Sequence, residues 1–173
     1  GNIDQAVAID EVKKFIAAKD LEAETRYIPK KVVPSLKGQF DEKIAIIGGG
    51  PAGLSCAFYL AEKGYAPTVF EKNENAGGML VYGIPSYKLE KDVVQAEIDV
   101  IKAMGVTIKT GVEVGKDITI EELRKQGYKA FYIAIGCQGG RLPGIPNDTA
   151  KGCASAVDLL RCNDSRRFLK RSK

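Results

Sequence analysis

The sequence predicts a doubly wound α/β domain with a mainly parallel central sheet, preceded by a short helical extension. Three observations carry that prediction. Lys43 to Ile47 is apolar on both faces, as a strand inside a parallel sheet has to be. Glycines follow it at once and lead into a helical period from Pro51, so that strand, turn and helix come in the order of a βαβ unit. Short apolar runs and amphipathic stretches then keep alternating as far as Gly136. A length of 173 residues suits one domain, and 45% hydrophobic with 28% charged residues excludes a disordered or fibrous chain.

The extension comes first. Asp10 is placed to cap a helix whose Val12, Phe15 and Ile16 share one face, with Lys13, Lys14 and Lys19 on the others, so the apolar face is expected to dock. Residues 20 to 41 hold Pro29, Pro34, the basic pair Lys30 and Lys31, and no period, which reads as a connector crossing the domain surface. Residues 1–41 are therefore expected to be a helix and connector.

Chemistry starts at the first strand. Gly48-Gly49-Gly50-Pro51-Ala52-Gly53 satisfies G-x-G-x-x-G: Gly48 makes the tight turn, Gly50 lets the backbone approach a pyrophosphate, and Gly53 lets helix and strand pack closely. Pro51 suits the first helical turn, where its missing N–H costs nothing. The helix that Pro51 and Ala52 begin runs to about Lys63 and is apolar at Leu54, Ala57, Phe58, Leu60 and Ala61, with Gly64 at the place of a left-handed C-terminal cap. Its free N–H groups and a dipole equivalent to about half a positive charge favour a diphosphate at its start.

A second strand, Ala66 to Phe70, ends in Glu71, 23 residues after Gly48, where a carboxylate can accept hydrogen bonds from ribose hydroxyls. An acid there repels a 2′-phosphate, although Lys72 weakens the exclusion, so the unit suits the adenosine of FAD or NAD and not NADP. A tight turn without ligand is the bland reading of the glycines; the flanking strand and helix and the spacing of Glu71 weigh against it. FAD against NAD stays open on this motif.

Gly77-Gly78-Met79-Leu80 follows Glu71 and leads into Tyr82-Gly83-Ile84-Pro85-Ser86-Tyr87-Lys88-Leu89. Leu89 to Met104 reads as an amphipathic helix, Val106 to Lys109 as a strand, and Gly111 to Gly115 as a turn carrying Val112 and Val114 in alternation. Thr119 is expected to cap a helix from Ile120 to Gln126, with Glu121 and Glu122 in its first turn. Ala130 to Gly136 reads as a buried strand ending in glycine, in which Phe131 and Tyr132 pack.

Several function classes drop out. The four cysteines, Cys56, Cys137, Cys153 and Cys162, form no C-x-x-C or C-x4-C pair and the chain has no histidine, so metal and Fe–S ligand spacings are missing, as is the dithiol of a disulfide oxidoreductase. Buried or inert thiols in a reducing cytoplasm fit that spacing. Ile44 to Ala61 contains no charge over 18 residues, but Gly48 to Pro51 interrupt it, so no membrane span is expected. The formal charge of +4 is local: six basic residues from Arg161 on, set against Asp164, make the last 13 residues +5. No aromatics interleave that end, so residues 163–173 read as a solvated basic tail and not a nucleic-acid surface.

From the glycine motif through Leu89, the chain resembles the glutamate synthase small subunit family and the FAD domain of dihydropyrimidine dehydrogenase. The resemblance covers roughly residues 3 to 162. It implies a Rossmann-like FAD/NAD(P)-binding domain over residues 42–162, with Gly77, Gly78, Met79 and Leu80 beginning a segment along FAD. Lys88, after the I-P-x-Y step, is implied to contact the flavin or its phosphates; a helix-start lysine is the alternative. Val114 is implied to meet adenine through its backbone, and Ala134 and Gly136 to close the sheet against FAD, although both also suit a core strand. Gly152 to Arg161 resembles the crossing into a second nucleotide-binding domain. The family's Fe–S region and NADPH domain have no counterpart in these 173 residues.

The resemblance implies an FAD-binding fragment of an NADPH-dependent oxidoreductase, passing electrons through FAD to an Fe–S domain or large subunit. No side chain stands out as an acid–base catalyst, and hydride chemistry belongs to the cofactor. The alternatives are a non-catalytic FAD-binding or assembly module and an NAD-binding domain.

Overall fold

A computed structural model describes residues 4–30 and 40–163, with only the backbone of the last two. Four parallel strands form the sheet: β1 (Lys43–Ile47), β2 (Thr68–Glu71), β3 (Thr107–Thr110) and β4 (Tyr128–Ile133), in the order β3-β2-β1-β4. β1 pairs with β2 on one side (Ile46 opposite Val69) and with β4 on the other (Ile46 opposite Tyr132), which is why it has no polar face. Ala45 and Ile46 are completely buried.

The helices cover both faces. On one lie α2 (Pro51–Glu62) and α4 (Lys91–Ala103): Ala57 and Ala61 of α2 build one core with Ile46 and Val69 of the sheet, and Leu54 of α2 builds another with Val94 and Ile98 of α4. On the other, Leu123 of α5 (Ile120–Lys125) packs with Ala45, Phe70 and Tyr128. Alternation along each strand sends Ile46 and Ala45 to opposite cores.

Local signals place the boundaries. α2 ends in a Schellman arrangement: the Tyr65 N–H donates to Leu60 O at 3.0 Å and the Gly64 N–H to Ala61 O at 3.0 Å. At α5, Thr119 and Glu122 form a reciprocal capping box, as Thr119 Oγ1 accepts from the Glu122 N–H and Glu122 Oε2 from the Thr119 N–H. The four-residue α3 (Met79–Tyr82) forms the turn after Gly78, and α6 (Ala156–Asn163) lies where a crossing was expected.

Four expectations need correction. α1 (Ile9–Leu21) starts at Ala8, with no side-chain cap, and Asp10 sits in its first turn. Its apolar face is undocked among the described residues: Val12, Phe15 and Ile16 are more than half exposed. β4 is an edge strand and not a buried one, because no described strand pairs beyond it; Tyr132 and Ile133 are exposed, and only Tyr128 at its start and Phe131 pack. Cys137 and Cys153 are exposed, since both lie in the loops after β4, whereas burial pushes the half-buried Cys56 thiol up.

The connector is tied down at its start. Arg26 bridges Asp20 (2.5 Å) and Glu97 of α4 (2.8 Å), and its guanidinium holds the Asp20 carboxyl below the usual range. The later connector, residues 31–39, and the basic tail from 164 lie outside the described residues.

Candidate functional site

The carboxyl ends of β1, β2 and β4 open into one cavity of about 550 Å³, large enough for much of a dinucleotide. Its position follows from topology: β1 lies between neighbours whose connections depart to opposite sides, leaving a crevice beyond its end.

The floor is the glycine turn. Gly48 donates its N–H to Phe70 O at 2.8 Å and has φ of +106°; a Cβ there would lie 2.3 Å from Ala134 O. Side chains are thus excluded at Gly48 both by conformation and by the backbone of β4's extension. A Cβ at Gly53 would lie 2.0 Å from Gly48 O, so α2 reaches the strand only because residue 53 has none. Gly50 differs from both. Its φ of −77° suits any residue, and a Cβ would meet only Gly78 Cα at 3.9 Å. The fold itself does not require glycine there, yet Gly50 lines the cavity beside Pro51 and Ala52 at the start of α2.

The β2 side carries the charge. Glu71 is 5% exposed and lines the cavity. Its Oε2 accepts from the Gly49 N–H at 2.8 Å, and its Oε1 accepts from the Asn73 N–H at 2.8 Å and from Asn73 Nδ2 at 2.6 Å. A carboxylate has about four acceptor positions, so three donors leave room for a hydroxyl. Lys72 lines the same wall with Nζ 4.0 Å from Glu113 Oε1, a half-exposed pair of little energetic weight. Val114 lines it from the turn after β3.

Opposite, Ala134 and Gly136 line the cavity where β4's extension leaves the sheet, and Gly78 and Met79 close it from the start of α3. The Gly77 N–H donates to Gly49 O at 2.7 Å, which binds the second glycine pair to the first.

Three of the residues singled out in the sequence lie elsewhere. Gly53 is a packing residue beneath the turn, and Leu80 packs against the core of Leu54, Val94 and Ile98. Lys88 is exposed and outside the cavity; the nearby lysine that is engaged is Lys91, whose Nζ donates to Leu80 O (2.9 Å) and to Ile84 O. Sequence reasoning missed Asn73, Gln138 and Arg161. Asn73 follows Glu71 by two residues, a spacing that signals local side-chain to backbone bonding. Nothing in the sequence marks Gln138 or Arg161 as neighbours across the cavity.

Residues 42–172 match the family model described as pyridine nucleotide-disulphide oxidoreductase. The chain belongs to that family. Among curated relatives, the glutamate synthase [NADPH] small chain of Bacillus subtilis is 38% identical over 157 residues, 91% of this chain and 31% of its own length. The NADP(+)-dependent formate dehydrogenase subunit beta of Moorella thermoacetica is 38% identical over 164 residues, 86% of this chain and 23% of that subunit. The chain therefore spans less than a third of the length of either relative, 31% of one and 23% of the other. Mycobacterium tuberculosis FprA in complex with NADPH shares the fold, with a TM-score of 0.62 at 21% identity over 76% of this chain and 30% of FprA. The resemblance to glutamate synthase small subunits is thus found across most of the chain. No helix among the described residues is long and apolar enough to cross a membrane.

Proposed function

We propose that this chain holds the ADP half of FAD, as the FAD-binding part of an NADPH-dependent flavoprotein oxidoreductase similar to the glutamate synthase small chain. The observation that carries the reading is Gly50. Neither backbone conformation nor packing accounts for glycine at that position, and a ligand crossing the start of α2 does.

The other residues fit the same group. The free N–H groups of α2's first turn face a diphosphate, Glu71 accepts from the ribose, and Val114 lines the adenine side. Gly78, Met79, Ala134 and Gly136, which line the cavity, would leave passage for the chain of the cofactor, and Lys88, exposed outside the cavity, would be available only to its flavin half. Residues 42–162 are the FAD-binding unit, and residues 1–41 the helix and connector before it. When bound, FAD would supply hydride and electron transfer between NADPH and an Fe–S domain or large subunit of the whole protein in the cytoplasm. This chain's residues bind, orient and exclude; none is assigned a proton transfer. With no closely spaced cysteine pair, disulfide reduction is not assigned to it.

The test is Gly50→Val. The variant should stay folded and melt within about 5 °C of the parent, because a Cβ there meets only Gly78 Cα at 3.9 Å and valine in place of glycine at the N-cap of α2 costs about 1 kcal/mol. FAD affinity should fall at least about 100-fold, equivalent to about 2.7 kcal/mol. Unchanged FAD affinity in a folded variant would overturn the assignment.

A further inference from the structure

We propose that Arg161, oriented by Gln138, is a further contact of this site, supplying a cation to the diphosphate of the bound dinucleotide from the side opposite Glu71. The proposal rests on the reading of the cavity as a dinucleotide site and adds a residue that the sequence motifs do not contain.

The placement is specific. Arg161 lies on α6, some 90 residues beyond Glu71 in the chain, yet both line one cavity. Its Nη2 donates to Gln138 Oε1 at 2.5 Å, and Gln138 Nε2 donates in turn to Ile135 O at 3.3 Å. The amide thereby fixes the guanidinium to the backbone that continues β4. That backbone is in contact with the glycine turn, since a Cβ on Gly48 would lie 2.3 Å from Ala134 O. The pair thus lines, from the β4 side, the same cavity as the start of α2.

Arg161 is also unsatisfied. A guanidinium has five N–H donors. Nε is buried with no acceptor, and among the described residues no carboxylate lies within ion-pair distance of the side chain. The cavity's other cation, Lys72, has Glu113 as partner and stands next to Glu71. Nε is closed off from the cavity, so the donors offered to an anion there are those of the Nη groups that Gln138 leaves free, and arginine's planar fork matches phosphate oxygens two at a time.

The experiment titrates the 173-residue chain with ADP and with adenosine, for the parent, Arg161→Gln, Arg161→Lys and Gln138→Ala, with a melting curve for each. The Arg161→Gln variant should bind ADP about 10-fold more weakly while adenosine binding stays within about twofold, as expected for loss of one charge-assisted contact in a partly open site. Lysine should restore part of the ADP affinity as a point charge without the fork, and Gln138→Ala should lose about threefold for ADP alone. Equal ADP affinity in the parent and Arg161→Gln overturns the proposal. So does a parallel loss of ADP and adenosine, which marks a scaffold role. A parent chain that binds neither probe refutes the dinucleotide reading itself, and the assignment of Arg161 with it.

Discussion

Replacing Glu71 with glutamine should destabilise the chain before any ligand is added. A carboxylate that served only the ribose would be neutral to folding in the free protein. This one is 5% exposed and accepts three hydrogen bonds, one at Oε2 from Gly49 and two at Oε1 from Asn73. Glutamine keeps the shape but has a single acceptor oxygen. Its better orientation turns that oxygen toward Asn73 and sets its NH2 group against the buried N–H of Gly49. One hydrogen bond to a charged group is lost, worth about 1.5–3 kcal/mol, and one buried donor is left facing another. The cheaper orientation therefore costs about 2–4 kcal/mol, and at about 2–4 °C per kcal/mol for a chain of this size the melting temperature drops by about 5–15 °C. Thermal melting of the ligand-free protein followed by circular dichroism measures it. A shift below about 1 °C would show that the carboxylate does not hold the glycine turn.

Gly53→Ala should be among the most damaging small substitutions, since its Cβ would lie 2.0 Å from Gly48 O and α2 must move away; a loss of about 3 kcal/mol or more by urea denaturation is expected. At α5, the hydrogen bonds from Thr119 to Glu122 lower the carboxyl below its ordinary value of 4.5. Its contribution to stability is therefore complete above pH 4.5 and is lost as the pH falls through the lower folded value. Amide exchange of α5 from pH 6 to 3 should show the loss, and Glu122→Gln should remove the acid-dependent part. Cys137 lines the cavity and is exposed, so its alkylation, followed peptide by peptide, should slow at least about fivefold with saturating FAD while that of exposed Cys153 does not.

What was legible in the sequence was what local rules decide. β1, the glycine turn, α2 with its Gly64 cap, and the Thr119 cap all depend on residues within a few positions of one another, and each lies where its pattern puts it. Burial of β4 was not legible, because an apolar strand looks the same whether or not a neighbour pairs with it; here Ile133 is 65% exposed at the sheet edge. The apolar face of α1 misleads for the same reason. Near the site, Lys88 and Lys91 stand three residues apart, and only the fold shows that the second meets the carbonyls of Leu80 and Ile84. Leu80 belongs to the right segment but turns toward the core. Arg161 needs the whole path from β4 to α6 to reach the cavity, which no spacing rule encodes.

The central claim is that the cavity takes FAD through its ADP half. Titration of the 173-residue chain with FAD, NAD and NADP in parallel, read by isothermal calorimetry, tests it most directly. FAD should bind with one-to-one stoichiometry and should be displaced by excess ADP, with NADP at least about 10-fold weaker because Glu71 repels its 2′-phosphate. Binding of NADP in preference to FAD, or no binding of FAD by the folded chain, would contradict the account.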